Sequence, residues 1–458
     1  METNPFEALF KLQQKFFVTG RTLDFAFRKN ALRKLKTSIL DHENDFYDAL
    51  FKDLHKSEFE SYATEIGFVL DELSFNLKKL KKWMKPKKVS SGIVSFPSRS
   101  RITHEPLGTV LIIAPWNYPF QLLMAPLIGA IAAGNTVILK PSEISAYTGL
   151  AIQKMLNEVF DDEYVHVVTG GSEVSQQLLS LDFNHIFFTG SPKVGKLVMQ
   201  AAAKKLIPVT LELGGKSPCI VNDDVNVKLA ARRIAWGKFL NAGQTCIAPD
   251  YLLVHENIKE ALIKEIENAV HQFYGEEIKE SPDYPRIISR PNMERLATLI
   301  DGVKIVFGGN FDMNDRYFEP TIVDDVDFEK PVMQQEIFGP VLPIITFKEI
   351  NEAIRMVNSR PRPLALYVFA NHKDFQDKII AGIPAGGVTV NDTLMHIANN
   401  KLPFGGIGNS GIGKYHGFES FKTFSNIKPV VYRGRWIDVP IRYAPYGSKL
   451  KIIKYLMH

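Results

Sequence analysis

One of the two cysteines in the chain, Cys246, sits in Asn-Ala-Gly-Gln-Thr-Cys-Ile-Ala at 241–248. A thiolate is a strong nucleophile and, once acylated, leaves readily when the thioester is hydrolysed. Three other segments carry groups that would complete such chemistry: Pro-Trp-Asn-Tyr-Pro (115–119), Leu-Glu-Leu-Gly-Gly-Lys (211–216) and Glu-Ile-Phe-Gly-Pro (336–340). Asn117, held between Pro115 and Pro119 after an apolar run, offers an amide N–H that with the backbone N–H of Cys246 would stabilise an oxyanion. Taken alone, an Asn in a Pro-rich turn is usually a turn former. Glu212 ends a strand just before Gly214-Gly215, a flexible turn that would swing it to the thiol as a base with a pKa raised by partial burial. A thiol, an amide donor and a carboxylate suit thiolate addition to an aldehyde, loss of hydride to a nicotinamide, and hydrolysis of the thioester left behind. Cys219 opens a β-branched run and reads as an inert core thiol.

A dinucleotide needs a cradle of backbone N–H groups. Thr189-Gly-Ser-Pro-Lys-Val-Gly195 follows a strand and opens a helix, where phosphate is favoured at Gly190 and Ser191, although it is not a Gly-x-Gly-x-x-Gly motif. Lys140 and Glu143, at another strand end, suit an adenosine ribose, and a carboxylate there favours NAD over NADP by repelling a 2′-phosphate. Glu336 and Phe338 would hold the nicotinamide ribose and ring. No His, Cys or carboxylate spacing suits a metal. His185, His255, His396 and His416 are scattered, the last two flanking the glycine-rich Pro403–Gly413.

The elements that must position these groups follow from periodicity. Residues 6–85 read as mostly helical and 87–104 as a hairpin or arm. From 109 to 213, five β segments (109–114, 136–139, 164–168, 185–189, 208–213) alternate with four helices, which predicts a parallel sheet with ligands at the carboxyl ends of its strands. A second α/β pattern runs from about 215 to 405, and 425–437 returns to strand character, suited to pairing with the arm. The apolar stretch Leu107–Leu139 is long enough to span a bilayer, but its prolines, glycines and amides favour a buried strand–helix–strand unit. The chain has 458 residues, 45 % apolar and 23 % charged, with a net charge of +5. These values describe a soluble protein of two or three domains. The lysine run from Lys78 to Lys88 reads as a solvated helix end rather than a nucleic-acid site. Two cysteines and an acidic N-terminus without an apolar signal core point to the cytoplasm. The tail from Lys449 is a short basic amphipathic segment.

The motifs Pro-Trp-Asn-Tyr-Pro, Lys-Pro-Ser-Glu, Phe-Thr-Gly-Ser, Leu-Glu-Leu-Gly-Gly-Lys-Ser-Pro, Gly-Gln-Thr-Cys and Glu-Ile-Phe-Gly-Pro occur in one order along nearly the whole chain. In this the chain resembles the NAD(P)-dependent aldehyde dehydrogenases. Ala235–Cys246, Leu402-Pro-Phe-Gly-Gly-Ile-Gly-Asn-Ser-Gly and the short N-terminus are similar to the class 3, fatty and aromatic aldehyde branch. The resemblance implies an α/β fold. A Rossmann-like NAD-binding domain would span 1–86 and 107–211, and an α/β catalytic domain 212–407. A small β bridging and oligomerisation arm would span 87–106 and 424–437, leaving a tail at 438–458. It also implies Cys246 as nucleophile, Asn117 as oxyanion donor and Glu212 as general base. Trp116, Lys140, Glu143, Gly190, Ser191, Glu336 and Phe338 would contact NAD, with NADP accepted by some class 3 members. The implied assembly is a homodimer, with no transmembrane segment; peripheral membrane contact through the tail stays open, as does whether Glu212 or Glu336 dominates deacylation. The implied substrate is an apolar aldehyde, medium- or long-chain, aromatic or terpenoid, met by Tyr118, Leu122, Trp236, Ile247 and the loop 391–397. A CoA-acylating enzyme and an inactive cofactor-binding homologue are the alternatives. The first does not need a base at Glu212, and the second does not need Cys246, Asn117 and Glu212 intact.

Overall fold

Strands that are apolar on both faces must be covered on both faces, and the chain from Thr109 onward builds two such sheets. A computed structural model describes residues 4–92, 95–438 and 440–457. In the first sheet the strands lie in the order Val165–Val167, Thr136–Lys140, Thr109–Ile113, His185–Gly190, Val209–Leu213 and Gly411–Ile412. The first five are parallel. The sixth comes from far downstream and pairs antiparallel, with Gly411 opposite Glu212. Every residue of Thr109–Ile113 and Thr136–Lys140 is buried. The helix between them, Gln121–Ala133, is buried along its whole length, so the apolar stretch from 107 is core. From Thr109–Ile113 the chain steps outward to Val165–Val167, then returns to the other side with His185–Gly190. Strand order therefore reverses between Thr109–Ile113 and His185–Gly190, which opens a crevice at their carboxyl ends.

The second sheet has the order Lys304–Phe307, Thr321–Asp324, Val341–Phe347, Tyr251–His255, Pro218–Val221, Ala365–Phe369, Gly387–Val390. All neighbours are parallel except the first pair. Cys219 is fully buried in it, as its β-branched surroundings suggested. Cys246 precedes Tyr251–His255 and Glu336 precedes Val341–Phe347, so both lie at the amino edge of this sheet. Asn117 and Gly190 lie at the carboxyl edge of the first, and the two edges face each other.

A third, antiparallel sheet joins Lys87–Val89, Ser98–Pro106 and Ser425–Arg433. The last two pair along their full length, from Ser425 opposite Pro106 to Arg433 opposite Ser98. The N-terminal helices Glu7–Val18, Phe25–Asp41, Glu43–Leu54 and Gly67–Trp83 cover the first sheet and its helices. Before the last of them the chain makes a single π-helical turn, Tyr62–Ile66, a feature frequent near functional sites. Lys449–Met457 is helical, with Leu450, Ile452 and Tyr455 exposed. Among the described residues no helix is long and apolar enough to cross a membrane.

Candidate active site

One cavity of about 610 Å³ lies between the facing edges. Trp116, Asn117, Gly190, Ser191, Glu212, Cys246, Glu336 and Phe338 all line it, as do Tyr118, Leu122, Trp236 and Ile247. The loop from Asn391 contributes Leu394, Met395 and Ile397. Lys140 and Glu143 are not part of this lining. They sit beyond it at the end of Thr136–Lys140, where Lys140 Nζ donates to Glu143 Oε2 at 2.6 Å.

The Cys246 loop is shaped by its backbone. Helix Val227–Phe239 ends, and Asn241, Ala242 and Gly243 follow with φ of 52°, 50° and 73°. Left-handed non-glycine residues persist only where the surroundings hold them, and Gln244 is what holds these. Its amide donates to Asn241 O and Arg286 O, each at 3.0 Å, and its carbonyl accepts from Ile288 N at 2.9 Å. A Cβ on Gly243 would lie 2.3 Å from Gly339 O, so the thiol loop and the Glu336 loop touch at two glycines. Burial, together with the nearby carboxyls of Glu336 and Glu212, pushes the Cys246 thiol up to about 12, while the N–H groups of Cys246 and Ile247 pull the other way. The resting group is a thiol, and a base must accept its proton.

Asn117 is buried, and its Nδ2 donates to Gln244 O at 3.0 Å. The prolines around it are not its main support. Its carbonyl accepts from Asn241 Nδ2 at 2.9 Å and from Lys56 Nζ at 3.2 Å. Lys56 is itself buried, paired with buried Glu65 at 2.6 Å, and lies 4.1 Å over the Tyr118 ring. The other Glu65 oxygen accepts from Phe120 N at 2.8 Å and Gln121 N at 3.2 Å. Glu60 accepts from Asn241 N at 2.9 Å. Reading the sequence gave no role to Lys56, Glu60 or Glu65, which come from a stretch assigned only as helical. The available signal was Ser57 three residues before Glu60, the spacing of a helix-opening capping box; Ser57 Oγ does accept from Glu60 N, at 3.3 Å.

The expectation for Glu212 needs correction. Gly214-Gly215 is not a swinging turn: neither glycine has a positive φ, and Glu212 stays in register in its strand, opposite Thr189 and Gly411. Gly214 serves a different purpose, because a Cβ there would lie 2.0 Å from Glu336 Oε2. Glu212 is 3 % exposed, more deeply buried than expected, and neither carboxyl oxygen has a hydrogen-bond partner. Burial lifts its pKa well above the carboxylate range, opposed by the Lys414 charge.

Glu336 is pushed up to about 8, chiefly by burial and by Asp250, while the N–H of Gly215, Lys216 and Arg295 act against this. Its loop is pinned from below. Lys216 donates to Asp250, to Val332 O at 3.0 Å and to Gln335 O at 2.9 Å, and Asp250 accepts from Ile337 N at 2.9 Å. Phe338, with φ 48°, sets its ring edge-on to Trp116 at 5.3 Å.

The crevice suits a dinucleotide. Gly190 ends a crossing-point strand, and a Cβ there would meet the Phe188 ring at 2.5 Å. Gly195 lets helix Pro192–Ala203 approach Leu213, where a Cβ would fall 2.6 Å from Cδ2. Thr189 Oγ1 is buried without a partner. Among the described residues no group of three or more His, Cys, Asp or Glu is disposed to hold a metal ion. His396 and His416 stack on Phe404 at 5.9 and 5.2 Å instead.

The family model of the aldehyde dehydrogenase family matches residues 5–430. The chain belongs to the aldehyde dehydrogenase family. It is 48 % identical to the 4,4'-diaponeurosporen-aldehyde dehydrogenase of Staphylococcus aureus, over 98 % of this chain and 99 % of that one. It is 47 % identical to aldehyde dehydrogenase family 3 member A2 of Pongo abelii, over 95 % and 90 %. It is 44 % identical to the dimeric NADP-preferring aldehyde dehydrogenase of Canis lupus familiaris, over 95 % and 96 %. The solved substrate-bound structure of Staphylococcus aureus AldH superposes with a TM-score of 0.98 at 48 % identity, covering all of both chains. These relatives place this aldehyde dehydrogenase in the class 3-like branch.

Proposed function

We propose that this aldehyde dehydrogenase converts an apolar aldehyde to its carboxylic acid with NAD(P), through a thiohemiacetal and a thioester on Cys246. The observation that carries the reading is one apolar-walled cavity lined by a thiol, a buried amide donor, a buried carboxyl at Glu212 and a half-buried one at Glu336. Cys246 Sγ adds to the aldehyde carbon. Its proton passes to Glu336, whose charge bears on the thiol more strongly than that of Glu212. The new alkoxide oxygen takes hydrogen bonds from the second N–H of Asn117 Nδ2 and from Cys246 N. The chemistry supplied by a bound nicotinamide dinucleotide is hydride acceptance, which turns the adduct into a thioester. Glu212 then takes a proton from water, the hydroxide attacks the thioester carbon, and Cys246 leaves as the thiolate and takes back the proton held by Glu336. Holding water and base against apolar walls strengthens each of these electrostatic contacts.

For the dinucleotide, Gly190 and Ser191 would receive the pyrophosphate at the start of helix Pro192–Ala203. Trp116, Glu336 and Phe338 would hold the nicotinamide half, and Lys140 with Glu143 the adenosine ribose. A carboxylate at Glu143 supports a preference for NAD. Leu122, Trp236, Ile247 and Met395 support an aliphatic, aromatic or terpenoid substrate, and the name of the Staphylococcus aureus relative points the same way. The arm supports a homodimer: Ser425–Arg433 is an edge strand with Ile427, Val431 and Tyr432 exposed, and an unpaired edge is a template for another chain. The dimeric dog relative is consistent with this. Two free cysteines support a cytoplasmic location.

The test is NADH formation with a panel of apolar aldehydes, run with NAD and with NADP and without CoA. Turnover is expected with NAD, and none with Cys246→Ser. Full activity in that variant would sink the mechanism, and a strict need for CoA would move the chain to thioester transfer.

A further inference from the structure

The glycine-rich segment Pro403–Gly413 has no part in the chemistry above, yet it packs on Glu212. Its strand Gly411–Ile412 pairs with Leu211 and Glu212, which brings Lys414 to the same end of the sheet. A Cβ on Gly405 would lie 2.6 Å from Glu212 Oε1 and 3.0 Å from Lys414 Cδ. The carboxyl and the lysine stem therefore meet across the bare α-carbon of Gly405. Lys414 Nζ donates to Gly405 O, and to Gly386 O at 3.2 Å. Two of its three protons are thereby fixed, and the ammonium is held in place rather than free in solvent.

Glu212 needs that cation. A buried carboxylate without hydrogen bonds is unstable as the anion, and both Glu212 oxygens lack a partner. The titratable groups that face it are Cys246 across the cavity, and Tyr415 and Lys414 on the returning segment. Cys246 is a thiol at rest, and burial keeps the Tyr415 phenol protonated. His396 and His416, which face Lys414 and Tyr415, are kept neutral by burial. Of this group Lys414 carries the compensating charge.

We propose that Lys414 is a positioning residue for deacylation: anchored on two glycine carbonyls beside Glu212, its ammonium opposes the burial that favours the protonated carboxyl, so that Glu212 ionises, and takes a proton from water, at a lower pH than it otherwise would. The inference rests on Glu212 being the deacylation base. Without Lys414, Glu212 holds its proton to a higher pH, the thioester still forms, and its hydrolysis slows near neutrality.

The experiment compares Lys414→Met, Lys414→Arg and Glu212→Gln with the parent enzyme. Rapid mixing measures the first turnover of NADH, and steady-state kcat is followed over about pH 6 to 10. Lys414→Met should keep the fast first turnover and lose roughly tenfold in kcat near neutrality, as its acidic limb moves up by about one pH unit or more. Lys414→Arg should keep the parent limb. A Lys414→Met profile that superimposes on the parent overturns the proposal. So does a first turnover that is lost in step with kcat, which would mark a fault in acylation or folding. Undiminished turnover in Glu212→Gln would remove the base itself, and so separates failure of the underlying reading from failure of the Lys414 assignment.

Discussion

At the scale of single residues, the site divides its proton traffic between two carboxyls in different surroundings. Glu336 sits in a pinned loop and is pushed up to about 8 by burial and by Asp250. Glu212 is deeper and answers to Lys414. The pH dependence of kcat/KM reports groups in the free enzyme. A base must be ionised to accept the thiol proton, so kcat/KM for an aldehyde should be low well below pH 8 and rise through about 8. Glu336→Gln should remove that limb. A rise that persists unchanged in the variant would assign it to another group.

At the scale of elements, the oxyanion turn is held by the linker after helix Glu43–Leu54, which carries Lys56, and by the π-helical turn Tyr62–Ile66, which carries Glu65. Lys56→Met leaves Glu65 buried without its cation, a change that costs about 3–5 kcal/mol in buried pairs, and it also strips a donor from the Asn117 carbonyl. The thermal midpoint should drop and kcat should fall. Adding Glu65→Gln, which keeps an acceptor for Phe120 N, should recover part of the stability. A midpoint unchanged in Lys56→Met would show that the pair does not support the turn. The same elements show what the sequence could convey. The alternation of apolar runs from 109 to 213 identified five of the six strands of the first sheet to within a residue or two, because strands buried on both faces have nowhere to hide polar residues. The motifs around Asn117, Gly190, Glu212, Cys246 and Glu336 were legible because their residue types are unusual together, and all five line one cavity. Lys56 and Glu65 were not legible. A charged residue in a stretch that reads as helical looks solvent-facing, and only the contacts of Lys56 with the Asn117 carbonyl and of Glu65 with Lys56 and the N–H groups of Phe120 and Gln121 turn them inward. The Gly214-Gly215 pair misled for a related reason: a glycine that makes room for Glu336 looks the same in sequence as one that bends the chain.

At the scale of the whole molecule, buried titratable groups pull stability in opposite directions with pH. Burial lowers His185 and His396 to about 4 and His416 to about 3. The unfolded chain, with histidines near 6.5, then binds more protons than the native state, so stability is lost as pH falls from about 6.5 toward 4. Burial raises Glu60 and Glu72 to about 7 and Glu336 to about 8. There the native state binds more protons, and stability falls as pH rises from about 4.5 toward 8. Between these limits the two sets offset each other. Thermal unfolding across pH should therefore show a maximum between about 4.5 and 6.5 and a decline on both sides, with best activity on the alkaline, less stable flank. A midpoint that climbs steadily to pH 8 would contradict this.

The sixth strand of the first sheet, Gly411–Ile412, lies far downstream of the five it joins. As a chain leaves the ribosome its N-terminal parts fold first. The thiol, the amide and both glutamates are therefore synthesised well before Lys414. Until residues 411–415 are in place, Glu212 lacks both the strand beside it and the lysine proposed to favour its ionised form. Acyl release is thereby made to depend on the late closing of the first sheet, whose last strand and the lysine after it complete the surroundings of Glu212.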